Sequence, residues 1–366
     1  MRKHGRQALV VGAVLALALG VTACGSDDDG GTGTSGDGGG ASGKIALLLP
    51  ETKTARYESA DRPYFEAKMK ALCSGCEVVY SNADQDAAKQ QSQAEAAITQ
   101  GVKVMVLDPV DGKAAANIVA KAKQQNIPVV SYDRLASGPV DYYVSFDNEQ
   151  VGKLQGQALL EALGAKATPA SQVVMINGAP TDPNAAQFKA GAHSELDGKV
   201  TIGKEYDTPD WSPDKAQQEM DQAITALGKD KIVGVYAAND GTAGGAIAAM
   251  KGAGFAPIPP ITGQDAELAA IQRIVAGDQY MTVYKAIKPE AEKAAEMAFA
   301  LLEGKQVADA TATVNNGDQD VKSVLLTPVA VTKENIKDTV VKDGFWTVAQ
   351  ICTGEFAQAC AAAGLS

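Results

Sequence analysis

Residues 131–152 read SYDRLASGPVDYYVSFDNEQVG. Two clusters of ligand-type side chains stand in this stretch, Asp133-Arg134 and Phe146-Asp147-Asn148. Each follows a short apolar run, Ile127-Pro128-Val129-Val130 before the first and Tyr142-Tyr143-Val144 before the second. A β-branched or aromatic run ending in polar residues predicts a strand that delivers side chains at its carboxyl end. In open α/β sheets that end is where ligands bind. Two such ends so close together predict a chain leaving one sheet for another, with a ligand held between two lobes.

Upstream, apolar runs at Lys44–Leu49, Glu77–Tyr80, Val102–Leu107 and Ile127–Tyr132 alternate with helical stretches at 61–72, 87–100 and 114–125. This is a βαβ series and predicts a parallel sheet. The rhythm restarts downstream with strands near 172–177, 200–206, 232–237, 261–263 and 279–283. Helices near 148–163, 185–196, 214–227, 242–252, 266–276 and 288–303 separate and follow them. Two βαβ lobes in tandem form a coarse internal repeat, and the fold class is α/β.

The first residues read as an address. Arg2, Lys3 and Arg6 precede an apolar run, Ala8–Val21, which is shorter than the ~18 residues of a confident spanning helix. That is the pattern of a secretory signal over residues 1–23. Val21-Thr22-Ala23-Cys24 matches a bacterial lipobox with Cys24 as the lipidated residue; an ordinary signal with a chance cysteine is the plainer reading. Residues 24–43 are Gly, Ser, Thr and Asp with almost nothing apolar, and predict a flexible tether. Gly31-Thr32-Gly33-Thr34-Ser35-Gly36 fits G-x-G-x-x-G, but no strand precedes it and no helix follows, so the nucleotide reading fails.

The formal charge is −11, and becomes −14 once Arg2, Lys3 and Arg6 leave with the signal. Nucleic acid is thereby a poor partner, since phosphate neutralisation needs a basic face. Cys73, Cys76, Cys352 and Cys360 remain after Cys24, and export permits disulfides. Cys73-Ser74-Gly75-Cys76 follows a helical stretch, which suits a local disulfide better than a redox pair. Cys352 with Cys360 would pin the tail. A four-cysteine zinc site has no supporting spacing, and no metal or cofactor is expected.

The residues at strand ends carry the chemistry: Arg56, Tyr57, Asp133, Arg134, Phe146, Asp147, Asn148, Asp182, Asn184, Trp211, Asn239, Asp240, Asp265 and Lys285. A sugar offers hydroxyls that both donate and accept, and weakly apolar ring faces. Carboxylates and amides accept from hydroxyls while Arg, Lys and Asn donate; Tyr57 and Trp211 suit the ring faces. The mixed signs fit a neutral polyol better than a phosphate or a cation. Each residue alone has a plainer role. Asn148, Asn239 and Asp240 each precede a helix and suit caps, and Tyr57 and Trp211 suit packing.

These residues carry a resemblance. Ser131-Tyr132-Asp133-Arg134, Ser145-Phe146-Asp147-Asn148-Glu149, the run from Ala238-Asn239-Asp240 to Ile247, Gly263-Gln264-Asp265-Ala266 and Met281-Thr282-Val283-Tyr284-Lys285 resemble the D-xylose-binding proteins of bacterial ABC sugar importers. The similarity runs from Lys44 to Gly344 and includes Asn315-Asn316-Gly317 and Leu325-Leu326-Thr327-Pro328. It implies a type I periplasmic-binding fold, two Rossmann-like lobes with crossings near Val144, Lys285 and Asp318. The implied lobes are 44–143 with 286–317 and 144–285 with 318–344, followed by a disulfide-pinned tail at 345–366. Arg56, Asp133, Arg134, Asn184, Asn239, Asp265 and Lys285 would hydrogen-bond the sugar, Tyr57 and Trp211 would sandwich it, and Asp147 and Asp182 would support them. Tyr57 stands where that family usually has Trp, and Pro183 where relatives carry Asn.

The implied protein is a monomeric, lipid-anchored, extracytoplasmic binder that passes a monosaccharide, D-xylose first, to an ABC permease. A sugar receptor for signalling or chemotaxis, with a broad aldose range, uses the same cleft. An exported sugar hydrolase would need Asp133 and Asp265 as acid and base. His4 and His193 are the only histidines, and His193 reads as a surface residue. A repressor of this fold would need an N-terminal helix-turn-helix where the Gly-rich stretch stands.

Overall fold

The computed structural model describes residues 42–365. The signal, the lipidation at Cys24 and nearly all of the tether lie outside the described residues. The chain begins with β1 (Ser42–Leu49), makes a helical turn at Tyr57–Asp61 and continues as α1 (Arg62–Leu72), β2 (Gly75–Asn82), α2 (Ala87–Thr99), β3 (Val104–Leu107), α3 (Ala116–Gln124), β4 (Val129–Tyr132) and β5 (Tyr142–Phe146). It crosses into α4 (Asn148–Leu163), β6 (Gln172–Asn177), α5 (Pro183–Leu196), β7 (Thr201–Asp207), α6 (Pro213–Leu227), β8 (Ile232–Ala237), α7 (Asp240–Gly252), α8 (Leu268–Ala276) and β9 (Met281–Tyr284). It returns as α9 (Ile287–Leu302), the hairpin β10 (Ala312–Asn315) and β11 (Asp320–Leu326), then crosses again into β12 (Val329–Thr332) and ends in α10 (Val348–Ile351) and α11 (Ala357–Ala362).

The first sheet has seven strands in the order β10-β11-β5-β4-β3-β1-β2; the second has the order β7-β6-β8, and β9 and β12 pair antiparallel beside it. The strands β1 to β5 pair parallel with their neighbours. Ile45 to Leu49 are all buried because helices cover both faces of the sheet, which is why the run is continuously apolar rather than alternating. One apolar layer joins α1 and α9 to this sheet, and another joins α2 and α3 to its other face. The second lobe repeats the plan, with α4 and α5 on one face and α6 and α7 on the other.

Asparagine and aspartate start many of the helices. Asp86 accepts from the N–H groups of Ala88 and Lys89 at the start of α2, Asp147 from Gln150 at α4, Asp182 from Asn184 at α5, and Asn239 from Thr242 at α7. These side chains satisfy backbone donors that the first helical turn leaves free. Pro183 occupies the first turn of α5, where the missing N–H is harmless.

Two expected boundaries move. β5 stays in the first sheet through Phe146, so the first crossing follows Phe146 rather than Val144. β11 pairs parallel with β5 from Tyr142 to Phe146, so residues 320–326 belong to the first lobe and the third crossing falls at Thr327-Pro328 instead of near Asp318. The reason is the tight turn at Asn316-Gly317, with Gly317 at φ +91°, which folds β11 back onto β10 and keeps the hairpin together as an addition to the sheet edge. Cys73 lies beside Cys76 and Cys352 beside Cys360, with Cα atoms 5.3 Å and 5.7 Å apart. Each pair is local, on separate lobes, so the four cysteines do not converge on one zinc site.

Candidate functional site

The carboxyl ends of β1, β4, β6, β8 and β9, with the loops after β7 and before α8, converge on a small cavity between the lobes. Arg56, Tyr57, Asp133, Arg134, Asp182, Asn184, Trp211, Asn239, Asp265 and Lys285 all line it, and none is more than 4% exposed.

Arg56 is held by three carboxylates. Its Nε and Nη2 donate to Asp61 (2.9 and 2.7 Å), Nη2 to Glu290 (2.6 Å) and Nη1 to Asp133 (3.3 Å). Asp133 sits just past β4 at φ +52°, its N–H still bonded to the Val144 carbonyl of β5. That left-handed step turns its carboxylate toward the cleft. Burial works to raise the Asp133 carboxyl, but Arg56, Lys285 and Arg134 outweigh it and hold the pKa below the usual carboxylate range. The Tyr57 hydroxyl donates to Asp133 Oδ2 (3.3 Å) and accepts from Arg134 Nη2 (3.2 Å), so Tyr57 is a polar partner as well as a ring wall. Its phenol is pushed well up, chiefly by burial.

The second lobe answers across the gap. Asp182 Oδ2 stands 2.9 Å from Arg134 Nε and accepts from Trp211 Nε1 at 3.1 Å. Asn184 Nδ2 donates to the Asp133 carbonyl at 3.0 Å. Lys285 Nζ lies 3.6 Å from Asp133 Oδ1 and 3.4 Å from Asp265 Oδ1. Asp265 Oδ1 and Gln264 Oε1 are buried acceptors without a hydrogen-bond donor among the described residues, the kind of atom a ligand hydroxyl satisfies. Trp211, at φ +53°, lies flat over Gly178, where any Cβ would run into the indole. Phe188 meets its edge, with centroids 6.4 Å apart.

The caps divide. Asp182 and Asn239 cap helices and line the cavity at once, so the two readings are not exclusive. Asp147 caps α4 on the outside and is exposed, which removes it from the ligand set: the helix start that it caps faces away from the cleft. Asp240 is buried behind the wall, accepting from Gln279, Thr282 and the Glu267 N–H. Phe146 and Asn148 are buried but do not line the cavity. Thr54, Phe188 and Gln264 do line it and were not singled out in the sequence. Phe188 follows Asn184 by one helical turn and shares its face; Gln264 stands beside Asp265 in the Gly263–Ala266 motif, and Thr54 carried no comparable mark.

A rear layer fixes the two arginines. Asp108 Oδ1 and Glu51 Oε1 lie 3.7 and 3.8 Å from Arg134. Burial pushes the Asp108 and Glu290 carboxyls upward, against the pull of Arg134 on the first and Arg56 on the second. No group of carboxylate, cysteine and histidine side chains able to hold a metal ion occurs among the described residues.

The periplasmic binding protein domain family matches residues 45–306. The D-xylose-binding periplasmic protein of Escherichia coli (strain K12) is 42% identical over 308 residues, covering 82% of this chain and 90% of that protein. The multiple sugar-binding periplasmic receptor of Rhizobium radiobacter is 34% identical over 330 residues, with 84% and 92% covered. An ABC transporter solute-binding protein from Clostridium phytofermentans, solved with bound β-D-glucose, superposes with a TM-score of 0.79 at 29% identity, covering 84% of this chain and 99% of that one. The chain therefore has the type I periplasmic-binding fold and belongs to the periplasmic binding protein family, among the D-xylose-binding proteins.

Proposed function

We propose that this chain is an extracytoplasmic binding protein that captures a monosaccharide, D-xylose first, between its lobes and delivers it to an ABC permease. The observation that carries this is the cavity lining itself: buried acceptors and donors from both lobes, flanked by Tyr57 and Trp211. Its ligand set would be Arg56, Tyr57, Asp133, Arg134, Asp182, Asn184, Trp211, Asn239, Asp265 and Lys285, joined by Phe188 and Gln264. Contacts from both lobes give the ligand its differential affinity for the closed arrangement.

D-xylose is favoured by the Escherichia coli relative, whereas the Rhizobium radiobacter relative is a multiple-sugar receptor. A broad-range aldose receptor is accordingly the second reading. Catalysis is disfavoured on chemical grounds. Asp133, whose pKa Arg56 and Lys285 depress, is unsuited to the general-acid role that a hydrolase needs from one of its two carboxyls. We also assign residues 1–23 as a signal, Cys24 as a lipid anchor, and Cys73–Cys76 and Cys352–Cys360 as disulfides of a monomer. The lobes would be 42–146 with 286–326, and 147–285 with 329–365.

Calorimetric titration of the mature chain with D-xylose, then D-glucose, D-galactose, L-arabinose and D-ribose, tests this. One-to-one binding of xylose alone supports the first reading. Similar affinities for several aldoses support the second. Binding of none removes both.

A further inference from the structure

The chain beyond Gly344 lies outside the sequence resemblance, and the structure shows what it covers. Residues 345–365 run over the outer face of α8, burying Ile351, Cys360 and Leu365 against Ile271, Ile274 and Val275. Gln272 of α8 donates to the carbonyls of Gln350 (3.3 Å) and Ile351 (3.2 Å). Two contacts from this tail reach the backs of site residues. Trp346 Nε1 donates to the Ala266 carbonyl at 2.7 Å, and the Phe345 ring packs on Tyr284 with centroids 5.3 Å apart.

Those two targets adjoin Asp265 and Lys285. Asp265 and Ala266 are consecutive residues with side chains in the left-handed region, at φ +92° and +49°. Residues with a Cβ adopt that conformation only where their surroundings hold them. The Asp265 N–H is held by the Val283 carbonyl (2.9 Å) and the Ala266 N–H by Thr282 Oγ1 (3.2 Å), both from β9. The Ala266 carbonyl is held from the opposite side by Trp346.

We propose that the C-terminal tail is a positioning element of the ligand site: Trp346 locks the Asp265-Ala266 turn from outside, and so aims the Asp265 carboxylate at the cavity and at Lys285. The inference rests on the reading above that Asp265 binds the ligand. It makes Trp346 a positioning residue that never touches the sugar, and it gives the Cys352–Cys360 pair a purpose, since a loose tail would release the turn.

The test is a double-mutant cycle of Trp346→Phe and Asp265→Asn, read by titration of the mature chain with whichever aldose the wild type binds. Phe keeps an aromatic ring at this position while removing the N–H donor and part of the indole's bulk. Trp346→Phe alone is expected to weaken binding about three- to tenfold, the effect of one hydrogen bond. In the Asp265→Asn background it is expected to add little, because residues acting through one another are not additive. A merely structural tail would lower the melting temperature while leaving affinity unchanged, or would weaken binding equally in both backgrounds; either result overturns the proposal. If Asp265→Asn itself leaves affinity unchanged, the assignment of Asp265 to the ligand fails, a different failure that takes the proposal with it. Should Trp346→Phe not fold, Cys352→Ser with Cys360→Ser unpins the tail with Trp346 intact, and the same non-additivity with Asp265→Asn is expected.

Discussion

Arg134 and Asp182 face each other across the interlobe cleft, with Nε and Oδ2 2.9 Å apart and both side chains buried. Arg134 follows β4 in the first lobe and Asp182 starts α5 in the second. The pair therefore bridges the two lobes, and each partner is also fixed within its own lobe. Arg134 has Tyr57, and Asp182 has Trp211 and the Asn184 N–H.

Asp182→Asn keeps an oxygen for the cap and removes the charge opposite Arg134. Breaking a buried pair by removing one partner costs about 3–5 kcal/mol, and opening the cleft to water relieves part of that. Sugar affinity is expected to fall by more than about tenfold. Small-angle scattering should show a more extended ligand-free chain than the wild type. Unchanged affinity and scattering would mean the pair does not bias closure.

Gly178→Ala tests the ring wall without touching Trp211. The new Cβ has to displace the indole, and overpacking of this kind costs about 1–3 kcal/mol of stability. Loss of ring contact should weaken sugar binding by about tenfold, as for aromatic contacts of ~1.5 kcal/mol. Thermal melting and titration read the two effects separately; a destabilised variant with full affinity contradicts the stacking role.

Asp147→Ala is the matching control. Asp147 caps α4 on the exposed side, so its loss should lower stability by about 1 kcal/mol and leave sugar affinity as it is. Weakened binding would return Asp147 to the ligand set.

The second lobe should be less stable in mild alkali than in mild acid. Burial first, partly offset by Arg273 and Gln279, pushes the Asp240 carboxyl up to about 7. Burial, then Asp240 and Asp265, pushes Glu267 up to about 8. Unfolded carboxyls titrate near ~4. The folded chain thus binds more protons between that value and about 8. This contribution to stability is complete below the unfolded pKa and is lost as pH rises through the folded ones. Asp133 acts in the opposite sense, but only in strong acid, since its folded pKa is depressed. The melting temperature should fall between about pH 5.5 and 8.5, and Asp240→Asn should flatten that fall. An equal slope in the variant would exclude Asp240 as a source.

Much of the architecture was legible in residues that act locally. Val104–Leu107 is a continuous apolar run, and Val129–Tyr132 is buried throughout with Ser131 its one polar residue, because helices cover both sheet faces. The polar residues after them read as strand ends because turn chemistry begins where the apolar run stops. The Asp and Asn caps were equally visible, but a cap alone does not say which way its helix start faces. Asp147 and Asp182 each precede a helix, and both accept from its first turn. One is exposed and the other buried in the cleft. Likewise Thr54 looks like any loop polar residue until the lobes close over it.

From sequence alone came the α/β class, the two-lobe plan and most of the charged set at the strand ends. These depend on periodicity, turn residues and motifs within short windows of chain. The tertiary structure alone decided that β11 joins the first sheet, that Asp147 stands outside the site while Phe188 stands inside it, and that the tail reaches Ala266. Each of those depends on distances between segments far apart in the chain. Such distances are set by how sheets and helices pack, which no short window of sequence contains.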